Sequence, residues 1–142
     1  MNPSIPTESA NSALEFHDSE VSSVEGVTSG LQVRFAAAYV HSSEGTPGVD
    51  SGEVFLQPID IHLRDVVGWT DIINQCKGEL SGGELKVDGD LISLVPLPFE
   101  RAGNITLRLQ FSDGTVFAAK GASVQVLQTG TRKFVERFGG TR

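Results

Sequence analysis

Three stretches of this chain alternate apolar and polar residues with a period of two, and that alternation constrains the fold more than any other feature. Leu31, Val33, Phe35, Ala37 and Tyr39 share one parity. Phe55, Gln57, Ile59, Ile61 and Leu63 share another, opposite Leu56, Asp60 and His62. Ile105, Leu107, Leu109 and Phe111 form a third set, opposite Thr106, Arg108 and Gln110. Successive side chains of a strand point to opposite faces, so each run is the pattern of a half-buried strand. The core is expected to hold Leu31, Val33, Phe35, Ile59, Ile61, Ile105, Leu107, Leu109 and Phe111, with Gln57 the one polar residue on its face.

The punctuation between the runs fits a sheet protein. A first strand is expected over residues 14–24, bent near Asp18-Ser19, where polar residues interrupt the alternation. Residues 42–52 carry three Gly, one Pro and two acids and read as a long exposed loop. Residues 65–77 fit either a short helical turn or an irregular strand. Ser81-Gly82-Gly83 and Asp88-Gly89 read as turns, and residues 91–95 as a strand stopped by Pro96 and Pro98. Gly103 opens the next strand. Asp113-Gly114 is expected to form a hairpin turn of the primed type, and Lys120-Gly121 a bulge in the returning strand. About seven or eight short antiparallel strands with little helix predict an all-β fold, a β-sandwich or a partly open barrel. Residues 1–13 read as a disordered leader, 14–128 as a single all-β domain and 129–142 as a basic tail.

Charge narrows the partners. The net charge is −7, whereas phosphate backbones and anionic lipid surfaces attract a surplus of Lys and Arg, so neither nucleic acid nor a membrane is expected as a partner. The last fourteen residues run the other way: Arg132, Lys133, Arg137 and Arg142 against Glu136 give +3, which leaves −10 for the remainder. Phe134 and Phe138 lie among those charges. The tail is expected to fold back, an aromatic docking on the sheet while Arg132 and Lys133 meet carboxylates; the alternative is pairing with a second copy. One cysteine, Cys76, excludes an internal disulfide and a cysteine cage for zinc. With no basic segment leading into an apolar run at the N-terminus, the expected location is cytoplasmic.

The signatures of common catalytic machinery are absent: no Gly-rich phosphate loop ending in Lys-Ser or Lys-Thr, no His-Glu-x-x-His, no Gly-x-Ser-x-Gly. His17, Asp18, His41 and His62 have the side chains for a metal or carbohydrate site. The strand parities, however, put His41 on the apolar face of its strand and His62 opposite the apolar face of its own, and such ligands meet only across a bulge. No cofactor and no metal is therefore expected. His17-Asp18 sits where the first strand's alternation breaks, so it is either a structural corner or a site. On the corner reading, Asp18 accepts hydrogen bonds from nearby backbone N–H groups. Trp69, if exposed, is a candidate binding hot spot, together with Phe134 and Phe138.

Phe16-His17-Asp18-Ser19, followed by Val21, Val24 and a strand-forming run, resembles the opening of small bacterial all-β proteins that begin with Phe-His-Asp-Ser or Phe-His-Asp-Ala, some of them grouped with the immunity proteins of polymorphic-toxin systems. The likeness covers the first hairpin and, more loosely, residues 103–114; the polar leader and the long acidic loop depart from it. The resemblance implies a small binding protein rather than an enzyme. The functional expectation is thus a non-enzymatic protein-interaction module whose partner is another protein. The alternative is a metal-dependent or carbohydrate-binding β-domain using His17, Asp18, His41 or His62.

Overall fold

The computed structural model describes residues 11–28, 30–69 and 75–139, with the side chains of Trp69 and Phe138 outside the described set. Among these residues ten strands are formed: β1 (Asn11–Val27), β2 (Gly30–Ser43), β3 (Gly52–Arg64), β4 (Gly68–Trp69), β5 (Gly78–Val87), β6 (Asp90–Ile92), β7 (Leu94–Pro96), β8 (Phe99–Phe111), β9 (Val116–Gln128) and β10 (Lys133–Phe138). All pairings are antiparallel, in the order β3-β2-β1-β5-β8-β9, and β9 pairs with β3 to close the ring. The fold is therefore all-β and built on a six-stranded closed barrel, neither a sandwich nor a partly open barrel. Closure removes the ring's exposed edges, which two stacked sheets would keep.

Both long arcs use one strand twice. β3 pairs with β9 along residues 59–64 and with β10 along residues 52–56. β1 pairs with β5 at Glu20 and Val21 and with β7 at residues 13–15. Beyond the ring, β1, β2 and β3 thus continue as a sheet bordered by β7 and β10. Pro96 sits on β7, where its missing N–H is tolerated.

The core follows the alternation. Leu31, Val33, Phe35, Ile59, Ile61, Ile105, Leu107, Leu109 and Phe111 are all buried in one cluster with Leu14, Phe16, Leu63, Leu80, Leu85, Phe117, Val124 and Val126. Bulges then shift the phase. In β2 a register shift between Phe35 and Ala38 moves Ala38 and Val40 inward, so Tyr39 and His41 turn outward, contrary to their parity with Leu31. In β3, Val54 is fully buried and Phe55 only partly, so the strict odd-numbered face begins at Gln57.

Several turns differ from expectation for reasons of loop length. Ser81-Gly82-Gly83 lies inside β5 at a register shift, not in a turn. A Cβ on Gly83 would stand 3.0 Å from Phe16 Cβ and Cγ, so the glycine is what lets Phe16 cross into the core. Asp88-Gly89 joins Val87 to Asp90 with both central residues at positive φ (52° and 88°), which is the primed two-residue turn. At Asp113-Gly114 only Gly114 has positive φ, and Gly114 N–H donates to the Phe111 carbonyl. That is a three-residue loop ending in a glycine bulge, not the primed turn expected there. The register shift expected at Lys120-Gly121 is borne by the facing strand, between Ala102 and Ile105. β8 also begins at Phe99, ahead of Gly103. Within residues 65–77, β4 forms a two-residue strand on β9, and residues 70–74 lie outside the described set. The expected leader boundary also moves, since β1 begins at Asn11.

Candidate functional site

The corner in β1 is built by a residue that sequence reasoning passed over. Glu15 pairs with Tyr39 and Glu20 with Ala37, so residues 16–19 of β1 face Ala38 alone. Such a bulge orphans backbone groups, and buried backbone groups need partners. Ser19, fully buried, supplies both: its hydroxyl donates to the Glu15 carbonyl at 2.7 Å and accepts from the Tyr39 N–H at 2.8 Å. Asp18 takes φ of 70°, a left-handed conformation that Asp tolerates better than most residues. Its carboxylate lies 3.4 Å from His17 Nδ1, and both side chains are about half exposed (57% and 48%). No described backbone N–H bonds to Asp18, so the hydrogen-bonding role expected of it belongs to Ser19.

The outward turn of β2 places Tyr39 and His41 on the outer face, their rings edge-on at 5.5 Å. His41 Nε2 lies 2.7 Å from Glu15 Oε1, and the ring is only 5% exposed. The 44–51 loop passes over it: a Cβ on Gly48 would meet Leu94 Cδ1 at 2.6 Å and the His41 ring at 3.7 Å. Tyr39 Oη donates to Glu136 Oε2 of β10 at 2.9 Å. Burial, then the hydrogen bond and charge of Glu136, then the charges of Glu15 and Asp18, push the Tyr39 pKa up from 10.0 to about 12.

The opposite face of β10 packs on Phe55 of β3. Phe134 packs edge-on against Phe55 with centroids 5.9 Å apart. The Arg132 guanidinium lies over the same Phe55 ring at 5.2 Å and donates through Nη2 to the Ser12 hydroxyl. Among the described residues the buried Arg132 Nη1 has no hydrogen-bond partner, and burial lowers the basicity of the group. The tail does fold back, with Phe134 docking as expected, but among the described residues Arg132 and Lys133 make none of the expected carboxylate contacts. Among the described residues the ion pairs are those of His17 and His41. Arg132 uses an aromatic face and a hydroxyl instead.

β10 is thus clamped on both faces, and it is an edge strand: β3 lies on one side, and no described strand lies on the other. Phe134 remains 53% exposed and Val135 41% exposed, beside the exposed Lys133 and Arg137. The backbone of Phe138 pairs with Gly52; its side chain and that of Trp69 lie outside the described residues.

Comparison of the chain with protein-family models, with curated proteins and with solved structures finds no match.

The histidines do not converge. Among the described residues no three His, Cys, Asp or Glu side chains are grouped as a metal site requires. His62 sits on the outer face of β3 between Gln32 and Gln125, and His17 is exposed at the corner. A shallow hollow of about 180 Å³ lined by Pro98, Phe99, Glu100, Gln125, Val126 and Leu127 is smaller than the roughly 300–1,000 Å³ of pockets that enclose a small ligand. Cys76 is buried, and burial raises its pKa, the opposite of what an activated thiol needs.

Proposed function

We propose that this protein is a non-enzymatic protein-interaction module whose docking element is β10. The observation that carries this reading is the pairing of a strand edge that no described strand covers with two exposed apolar side chains, Phe134 and Val135, on a strand held in place from both faces. Apolar residues exposed together and rimmed by charge are the usual mark of a protein contact, because burying them against a partner releases their hydration. The strand is also prepared for binding, since its position is set by Tyr39, Phe55 and Arg132 before any partner arrives. The net charge of −7 would steer a partner that is basic overall, as a toxin neutralised by an immunity-like protein would be. A cytoplasmic setting is part of the same proposal.

Affinity capture from the native host tests it, with wild-type protein and the Phe134→Lys/Val135→Glu double variant as baits. A protein retained by the first and lost from the second, with both baits folded, is the expected result. Identical capture by the two baits would remove β10 from the reading.

A further inference from the structure

Resting on that reading of β10, we infer that Gln57 is the positioning residue of the docking strand: a buried amide on β3 that fixes where the chain returns to the sheet as β10. β9 and β10 run along the same side of β3 and in the same direction. Pairing with β9 ends at Ile59 opposite Gln128, and pairing with β10 begins at Leu56 opposite Lys133. Residues 129–132 therefore span the place of Gln57 and Pro58 alone. Pro58 explains the break, since it has no N–H with which to continue the ladder. Its carbonyl still accepts from the Thr129 N–H at 3.0 Å. Its ring lies against Gly130, where a Cβ would come within 2.7 Å of Pro58 Cγ. The chain loops away here, and the Gln57 side chain ties it back. Gln57 is 6% exposed; its Nε2 donates to the Gly130 carbonyl at 2.8 Å, and its Oε1 accepts from Gln128 Nε2 at 3.2 Å. One amide thus joins the end of β9 to the connection that leads into β10.

The break belongs to a line that crosses the sheet. β2 loses register against β3 between Phe35 and Ala38, opposite Ile59 and Gln57. β1 loses register against β2 between Glu15 and Glu20, opposite Tyr39 and Ala37. Ser19 bridges the backbone at that break in β1, and Gln57 does the same between β9 and β10. β10 lies beyond this line, paired with β3 at residues 52–56 and separate from the ladder that closes the barrel. An edge element past such a break opens on its own more readily than the ladder behind it. When β10 opens with its connection, the Gly130 bond is lost and the Gln57 amide is stranded in a buried site, which opposes opening. Gln57 therefore keeps Phe134 and Val135 in place without being one of the exposed residues that a partner meets.

Three variants of the full-length protein test this. Gln57→Met and Gln57→Leu each remove both bonds, and two different shapes guard against a failure of packing. Gln128→Ala removes the bond on the β9 side and keeps the one to Gly130. Amide exchange is read residue by residue, the Tyr39 phenol is titrated by ultraviolet absorbance, and the host lysate serves as the probe for capture. In the Gln57 variants the β3-bonded amides of residues 133–138 should exchange roughly tenfold faster, while Val124 and Val126 of β9 keep their wild-type rates. The Tyr39 midpoint should move down from about 12 as Glu136 departs, and capture should fall. Gln128→Ala should leave all three near wild type. The positioning role is overturned if β9 and β10 quicken together, if β10 keeps its wild-type exchange, or if Gln128→Ala matches the Gln57 variants. If β10 loosens and capture is undiminished, Gln57 loses this role while the reading of β10 stands. If capture ignores Phe134 and Val135 in the first place, that reading falls and takes the role of Gln57 with it.

Discussion

Ser19 carries two hydrogen bonds at the widest of the breaks in register between β1 and β2, and a single hydroxyl there connects the Glu15 carbonyl to the Tyr39 N–H. Ser19→Ala would strand both groups in a buried setting, and the expected loss is about 1–3 kcal/mol, readable as a lower denaturation midpoint at unchanged slope. Asp18→Gly, by contrast, should leave stability unchanged or slightly raised, because glycine adopts φ of 70° without a Cβ penalty. If Asp18→Gly proved the more damaging of the two, the corner would be held by the Asp18 carboxylate after all. Alternation told the corner's place in the sequence but not its keeper: Asp, Ser and His all suit a break, and only the depth of each side chain decides which one bonds the backbone. Tyr39 is the chain's one tyrosine, so its ionisation can be followed by ultraviolet absorbance without interference from a second phenol. With its pKa pushed up to about 12, the fold favours the neutral phenol. Its contribution to stability is complete below about pH 10, where the unfolded chain's phenol is protonated too, and is lost as pH climbs from about 10 through about 12. Tyr39→Phe should abolish that part of the alkaline dependence, and a native titration midpoint near 10 would contradict the contact with Glu136.

Among the elements, β10 shows how local sequence and tertiary context divide the work. Its aromatics and the need to anchor them were legible, since exposed ion pairs alone contribute little. The identity of the anchors was not: Phe55 and Ser12 are remote in sequence, and nothing local marks Arg132 as stacking on a ring instead of meeting an acid. Deleting residues 132–142 removes the Phe134–Phe55 and Arg132–Phe55 contacts and the Tyr39–Glu136 hydrogen bond, and should cost roughly 2–5 kcal/mol, measured as a fall in melting temperature. An unchanged melting temperature would make the tail a free end. The same division explains the turns and bulges. Asp-Gly was read correctly as a turn at both sites, but loop length, not the dipeptide, decides between the primed turn at Asp88-Gly89 and the bulged loop at Asp113-Gly114. The bulge in β2 that turns His41 outward leaves no trace in an unbroken apolar run from Phe35 to Val40, so parity placed His41 on the wrong face.

For the whole molecule, strand number and core membership come from alternation, whereas closure comes from pairings far apart in sequence, β3 with β9 and β1 with β5, which no local pattern encodes. That is why a sandwich and a barrel stood equal before the structure. β10 is held to β3 along one edge, and no described strand covers the other. Amide hydrogen exchange, resolved residue by residue over residues 133–138 in the isolated protein, tests this directly. A split within the strand is expected: the amides that bond to β3 exchange slowly, and those directed to the outer edge exchange fast. Uniformly fast exchange would mean the strand is not docked, and uniformly slow exchange would mean its outer edge is already covered; either result would contradict an edge strand held on one side.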